Sequence, residues 1–499
     1  MAGIRLCSDA VRRRTQLLFV PGNACDHDKE RETCMEVVLA DVRGHEGVVS
    51  KDTVAGGYGS RLRPFTKVTG VYCWLKRRFH DVPSVQMAYL AAIAARFGHT
   101  VKFTSGPVLD GDVALVLSSL VDFRQEIAWA DAARARGIRV GFVGLAASKM
   151  PQLFEGHADF IVNGEPEEAI MRLVQGERLD GAVKSQELAD LDSLPFPRWD
   201  LVTERALKNG KMILDARPVG GGFSLLASRG CPEFCTYCPH RILSGHRERS
   251  VASIVEELAQ LCEQYPQPYV IFRDPLFSEH RDRILALCDA VRSRGLQFRF
   301  ECETRLDRLD EELLDAMAAA GLRAISFGVE SVSGDTLKKV GRRPTPEAHQ
   351  RRIMEHCRKR GIVTAGFYVL GFLQDDWASI GATIDYATDL GSSFAQFKLL
   401  TPYPGTPLWK RMEPLVYEKD WEKFDGFTPT FNHPTLRPEE MKFLLGAAYS
   451  RFYMRPSYLS NLGRIRSSRI RDFVSRMDDR VAAHHARQET AVMSRPVVC

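Results

Sequence analysis

The 499-residue chain has no apolar run approaching the roughly 20 residues that a membrane-crossing helix needs, so no such span is expected. It also lacks a strong charge of one sign. Its 68 Lys and Arg against 63 Asp and Glu leave +5, too mild to point to a nucleic-acid partner. The twelve cysteines show no framework spacing outside one triplet, which argues against a disulfide scaffold and fits a reducing compartment. Near the amino terminus, "LLFVPGNA" is too short for a signal-peptide core and is broken by Pro21 and Gly22. A cytoplasmic enzyme is the expectation. With 44% hydrophobic and 26% charged residues, the length allows two or three globular domains.

What is present is alternation. Residues 1–65 read as a leader and loop, partly disordered. Between residues 66 and 187, amphipathic segments such as "SVQMAYLAAIAARFGHTV" and "EIAWADAARARGI" alternate with apolar runs such as "VALVLSSL" and "RVGFVGLAAS". That alternation predicts a parallel sheet with helices on both faces, a Rossmann-like domain. Ser118 and Ser119, Gly144, and Gly164 and Glu165 follow the predicted strands, at the ends where open parallel sheets bind ligands. The loop "SKDTVAGGYGSRLRPF" has several glycines, but no Lys-Ser/Thr follows them, so it is not a phosphate loop.

The proline-bearing stretch "LADLDSLPFPRWDLV" opens a linker placed at 188–217. A second series follows over 218–409, with strands in "SLLAS", "PYVIFRD", "FRFECET", "AISFGVES", "TAGFYVLGF" and "FAQFKLLTPYPGT". Six βα units are fewer than a closed eightfold barrel needs, so an open (β/α)6 partial barrel is predicted. Residues 410–499 read as a helical cap and tail. The overall class is α/β.

After the first of these strands comes "LLASRGCPEFCTYCPHRILSG", with Cys231, Cys235 and Cys238 in eight residues. Three thiols do not pair as disulfides, and a structural zinc site wants four protein ligands. His240 or His246 could complete such a zinc site. Alternatively, three thiolates on a four-iron cubane leave one iron open to a ligand bearing an amine and a carboxylate.

The CxxxCxxC spacing, Tyr237 before the last cysteine, and the place after the first barrel strand together resemble the signature of the radical S-adenosylmethionine (SAM) enzymes. The resemblance implies a [4Fe–4S] cluster on Cys231, Cys235 and Cys238 that cleaves SAM to a 5′-deoxyadenosyl radical. It also implies SAM contacts at later strand ends: Tyr237, Asp274 in "FRDPLFS", Glu303 in "ECETR", Glu330 and Ser331 in "SFGVES", and Gly371 in "GFYVLGF". In place of the family's common Gly-Gly-Glu after the second strand, this chain has Asp274. Glu301, Glu303 and Glu330 could equally serve as ion-pair partners of Arg305 and Arg323.

An alternating domain before such a barrel, joined through "DLDSLPFPRWD" and preceded by "NGEPEEAI", resembles the cobalamin-binding group of these enzymes. That resemblance implies cobalamin, with Ser118, Ser119, Gly144, Gly164 and Glu165 as its contacts. The Asp-x-His-x-x-Gly stretch that supplies a cobalt-ligating histidine is missing, and His99 reads as a capping or packing residue.

The implied activity is methyl transfer to an unactivated carbon of a small-molecule or natural-product intermediate. The alternatives are a radical SAM and cobalamin rearrangement or ring-forming reaction, and a non-enzymatic iron–sulfur or cobalamin sensor. Expected partners are a small-molecule substrate and an external electron donor of the flavodoxin or ferredoxin type, with no nucleic acid. Tyr403, Gln396, Lys398 and Trp377 lie near strand ends where a substrate would bind. The basic "YSRFYMRPSYLSNLGRIRSSRIRDFVSRMDDR" reads as a solvated helix closing the barrel, with a membrane-surface helix and a patch for an acidic or nucleic-acid partner as the alternatives.

Overall fold

A computed structural model of the protein describes residues 34–44, 47–51, 57–79, 84–202, 222–265 and 267–456. Two six-stranded parallel sheets dominate it. In the amino-terminal sheet the spatial order is Thr100–Thr104, Glu36–Ala40, Val113–Leu117, Arg139–Val143, Phe160–Asn163, Gly181–Lys184. Every neighbouring pair runs parallel. This is a doubly wound arrangement, and its topological switch point lies between Glu36–Ala40 and Val113–Leu117.

The strand Glu36–Ala40 corrects the expected boundary, because it lies within the predicted leader yet sits centrally in this sheet. Four of its five residues, Val37 to Ala40, are fully buried. A short apolar run buried on both faces has no period-2 alternation to announce it. The rest of the leader, residues 1–33, lies outside the described residues.

The second sheet runs Gly222–Leu225, Tyr269–Phe272, Arg299–Thr304, Leu322–Glu330, Val363–Leu370 and Phe394–Leu399 in sequential order. Helices such as Val251–Gln264 and Glu347–Arg360 connect the strands, giving the open six-unit barrel that the sequence predicts. The helix Pro438–Tyr453 covers its last strand. Tyr453 Oη donates to the carbonyl of Ala395 at 2.7 Å and accepts from its N–H at 3.1 Å, and Tyr449 Oη donates to the carbonyl of Phe397. Those contacts satisfy an edge that would otherwise offer unpaired backbone groups. The basic segment beyond residue 456 and residues 203–217 of the linker lie outside the described residues.

One core joins the two units. The helix Val85–Arg96 is buried along ten consecutive residues, Val85 to Ala94. The N–H of Arg198, in the linker, donates to the carbonyl of Ala88 in this helix. Next to it, Trp199 packs on Phe223 of the first barrel strand, with ring centroids 6.0 Å apart. The amino domain is therefore docked on the barrel through apolar packing as well as through the charges described below.

Candidate active site at the barrel mouth

The cysteine loop begins with a turn that only glycine accepts easily. Gly230 has φ +69°, and a Cβ there would stand 2.4 Å from the carbonyl oxygen of Gly245. Beyond it, Glu233 pairs with Arg308 at 2.9 Å and Arg305 at 3.4 Å, tying the loop to the exit of the third barrel strand. The Thr236 N–H donates to the carbonyl of Val340 and its own carbonyl accepts from Leu408 N–H. Anchored on these sides, Cys235 is buried while Cys231 and Cys238 are half-buried.

Burial pushes the Cys238 thiol up to about 12 and raises that of Cys231. Metal-free, these thiols hold their protons at neutral pH, and a bound cation has to displace them. The Arg342 guanidinium donates to Cys235 Sγ at 3.8 Å. Among the described residues, the trio with ligand atoms all within 4.8 Å of one another is His246, Glu248 and His280, and the three thiols form no such trio. A single tetrahedral zinc needs its sulfurs roughly 3.8 Å apart. The wider spacing suits a polynuclear cluster, and His246 turns to Glu248 and His280 rather than completing a zinc site with the thiols. The donor set fits a [4Fe–4S] cluster with one iron open.

Around the loop the strand ends differ in what their side chains do. Glu330 ends the fourth strand with φ +66°, a strained conformation for a residue with a side chain. Its carboxylate lies 3.6 Å from Arg342. Burial raises its pKa, while Arg342, Lys398, Arg305 and the Tyr237 hydroxyl pull it down. Tyr237 packs edge-on against Phe372, with centroids 5.6 Å apart. Tyr237, Glu330, Arg342 and Lys398 therefore share one charged and aromatic corner at the mouth. Ser331, buried beside it, accepts from the N–H of Ser333 and lines a cavity with Leu306, Val329, Arg342 and Arg343.

Glu303 is partly exposed and pairs with Arg273. Glu301 is buried and accepts from Tyr269 Oη at 2.9 Å, so it is a packing carboxylate. Asp274, expected as a SAM contact, has one oxygen accepting from the N–H of Ala227 at 3.0 Å and the other from Ser228 Oγ at 2.5 Å, which ties it to the turn before the cysteine loop. Gly371 has φ +85°, and a Cβ there would stand 2.6 Å from Met441 Cε, so the backbone turn and the helix packed on it favour glycine.

Of the expected substrate contacts, Gln396 and Lys398 alternate on the partly exposed side of the sixth strand. Tyr403 stacks on Tyr58 from the amino domain, with centroids 5.3 Å apart. Trp377 is elsewhere, stacked on Phe443 at the surface.

The carboxyl ends of the amino-terminal sheet divide into two halves. At the switch point, segments 42–44, 47–51 and 57–62 of the same chain fold over. Lys51 pairs with Glu126 at 2.7 Å, Arg61 pairs with Asp122, and all four residues are buried. Ser119 donates to Glu126 at 2.6 Å, and Ser118 donates to the Val143 carbonyl and accepts from Ala147 N–H. The hydroxyls of both serines, expected as cofactor contacts, thus bond within the domain in this structure.

The other half turns to the barrel. Gly144 has φ +105° and ψ −176°, a backbone region open essentially to glycine, and it starts the helix Leu145–Lys149. Lys149 reaches the neighbourhood of Gly405 in the barrel-mouth loop. Gly164 has φ +111° and crowds the Ser185 carbonyl. Glu165, expected as a cofactor contact, pairs with two arginines. It meets Arg229 at 3.3 Å and Arg247 at 2.5 Å, and Arg229 also pairs with Glu167 at 2.7 Å. Gly144 and Gly164 thus line the edge of the sheet that faces the barrel.

Arg342, Arg229, Arg247 and Glu233 were not anticipated. Their partners lie far away in the chain, and the runs "VGRRP" and "GHRERS" read as ordinary solvated charge. The one available signal was Arg229 itself, a cation inside an otherwise apolar strand exit.

The radical SAM superfamily model matches residues 225–387. An uncharacterized methyltransferase of Pyrococcus horikoshii is 29% identical over 60% of this chain and 68% of its own length. The anaerobic magnesium-protoporphyrin IX monomethyl ester cyclase of Rubrivivax gelatinosus is 26% identical over 46% of this chain, which spans 42% of that relative. In fold, the chain is similar to the radical SAM methyltransferase TsrM of Kitasatospora setae, solved with cobalamin and a [4Fe–4S] cluster. That likeness has a TM-score of 0.56 and 16% identity, and covers 85% of this chain and 90% of TsrM. The three-cysteine loop and four of the six barrel strands lie in the segment that matches the radical SAM superfamily, and the doubly wound domain docked beside the barrel completes a fold similar to that of TsrM.

Proposed function

We propose that the protein is a cobalamin-dependent radical SAM methyltransferase acting on an unactivated carbon of a small molecule. The observation that carries this reading is the pairing of Glu165 and Glu167 with Arg229, two residues before Cys231. It holds the glycine edge of the amino domain against the cysteine loop, so the two cofactor sites face one substrate space. When bound, the cluster supplies the electron for reductive SAM cleavage, and cobalamin supplies a methyl carrier able to meet a carbon radical.

The chain's residues do the positioning. Cys231, Cys235 and Cys238 hold the cluster. Arg342 and Arg305 place positive charge where a SAM carboxylate would lie, and Glu330, Glu303 and Ser331 offer acceptors for its ammonium and ribose. Gly371 leaves room at the fifth strand, while Gly144 and Gly164 present bare backbone to the corrin. Gln396, Lys398 and Tyr403 line the substrate side. Among the described residues no helix is long and apolar enough to cross a membrane. A cytoplasmic location with a flavodoxin- or ferredoxin-type donor completes the proposal.

The relatives include a methyltransferase and a ring-forming cyclase, so the reaction needs a direct test. The assay is anaerobic, with methyl-labelled SAM, reductant and candidate substrates drawn from neighbouring genes. Labelled product together with S-adenosylhomocysteine and 5′-deoxyadenosine supports methyl transfer. An unmethylated, rearranged or cyclised product with 5′-deoxyadenosine alone would replace it by the rival reaction.

A further inference from the structure

We propose that His246, Glu248 and His280 form a divalent-metal site of the zinc class, separate from the cysteine triplet. One ligand atom from each lies within 4.8 Å of the other two. The His246 and His280 rings stand 6.5 Å apart between centroids, and His246 Nε2 is 3.9 Å from Glu248 Oε1.

His246 gives the second, independent observation. Both of its ring nitrogens are shielded from solvent, and neither has a hydrogen-bond partner. A neutral imidazole carries one donor and one acceptor, and leaving them buried and unmet costs free energy. An ion absent from the coordinates is one of the recognised explanations for such a group. A metal on one nitrogen would satisfy the acceptor.

The surroundings are those of a built site. Glu248 pairs in a short antiparallel ladder with Ser228, just before the cysteine loop. Arg283 holds the carboxylate at 3.5 Å and is itself fixed by the carbonyls of Ala227 at 2.8 Å and Arg249 at 2.7 Å. Metal-binding carboxylates are commonly oriented by such outer partners. His280 precedes the helix Arg281–Ser293, is exposed, and makes no side-chain cap bond, so its ring is able to swing inward. In a tetrahedral zinc site the ligand atoms stand roughly 3.4 Å apart, which a turn of this ring would supply.

Two imidazoles with one carboxylate favour zinc over magnesium or calcium, which take oxygen ligands. Three protein ligands leave the fourth position to water. The metal would clamp the hairpin after the cysteine loop to the helix after the second barrel strand.

The test uses the full-length, cluster-loaded protein, stripped of other metals and titrated anaerobically with cobalt(II), then with competing zinc. One equivalent of cobalt should bind with d–d absorption and no sulfur-to-cobalt charge-transfer band. His280→Ala, at an exposed position, and His246→Ala should each weaken binding by more than roughly 100-fold while iron and sulfide content stay constant in His280→Ala. Uptake unchanged in His280→Ala, a sulfur-to-cobalt band, or no uptake at large molar excess would each overturn the site. The readout does not depend on catalysis, so it stands apart from the methyl-transfer assay.

Discussion

Arg342 sits 3.8 Å from the sulfur of Cys235. Its other guanidinium nitrogen donates to the carbonyl of Gly328 and lies 3.6 Å from Glu330. A half-buried cation thus touches both the cysteine loop and the strained end of the fourth barrel strand. Arg342→Ala should cut 5′-deoxyadenosine formation by roughly tenfold or more, as expected when a half-buried charge pair loses one partner. Arg342→Lys should fall between, because it keeps charge but loses the fork. Turnover and iron content equal to wild type in Arg342→Ala would remove Arg342 from the site.

The contact between domains carries its own prediction. Arg229 is buried with Glu165 and Glu167 and lies over the Tyr89 ring at 5.1 Å. Arg229→Ala leaves two buried carboxylates without that partner, at a cost of about 3–5 kcal/mol. Thermal unfolding followed by tryptophan fluorescence should show a lowered midpoint, and Glu167→Gln a smaller drop. An unchanged midpoint in Arg229→Ala would mean that the pair does not secure the docking.

For Asp274 the structure makes a discriminating prediction. Since it accepts from Ala227 and Ser228, Asp274→Ala should lower cluster content while leaving the KM for SAM of the loaded fraction unchanged. Intact cluster content with a raised KM would restore Asp274 as a SAM contact.

Asp274 also shows where reading a sequence stops. The six barrel strands were legible because each is a short segment rich in apolar residues between helical periods, and the cysteine loop because its spacing is local. The position of Asp274 at a strand end was legible too, but the direction of its carboxylate depends on Ser228, 46 residues away. Glu165 was read as a ligand contact on the same grounds, and Arg229 and Arg247 claim it through contacts made only once the two domains dock. The strand Glu36–Ala40 escaped notice for another reason. Five apolar-rich residues carry too little pattern when their partners are Thr100–Thr104 and Val113–Leu117, far along the chain.

Asp375 supplies a pH dependence. Burial pushes its carboxyl up to about 6, against the N–H groups of Gly371 and Phe372 that stabilise the charge. With the folded pKa above the unfolded value, the folded state binds the extra proton between about pH 4 and 6, and stability falls as pH rises through that window. Asp375→Asn keeps an acceptor and removes the titration. Relative to wild type, the variant should gain roughly 3 kcal/mol in stability between pH 4 and pH 7. Parallel stability–pH curves for the two proteins would contradict the shift.

The central claim, that Cys231, Cys235 and Cys238 hold a cluster that cleaves SAM, is tested most directly by anaerobic reconstitution of wild type and of the triple Cys→Ala protein. Iron, sulfide and 5′-deoxyadenosine are measured after addition of SAM and reductant. The account predicts about four iron and four sulfide per wild-type chain with 5′-deoxyadenosine released, and neither cluster nor nucleoside from the variant. A triple variant that holds as much cluster as wild type and still cleaves SAM would contradict it.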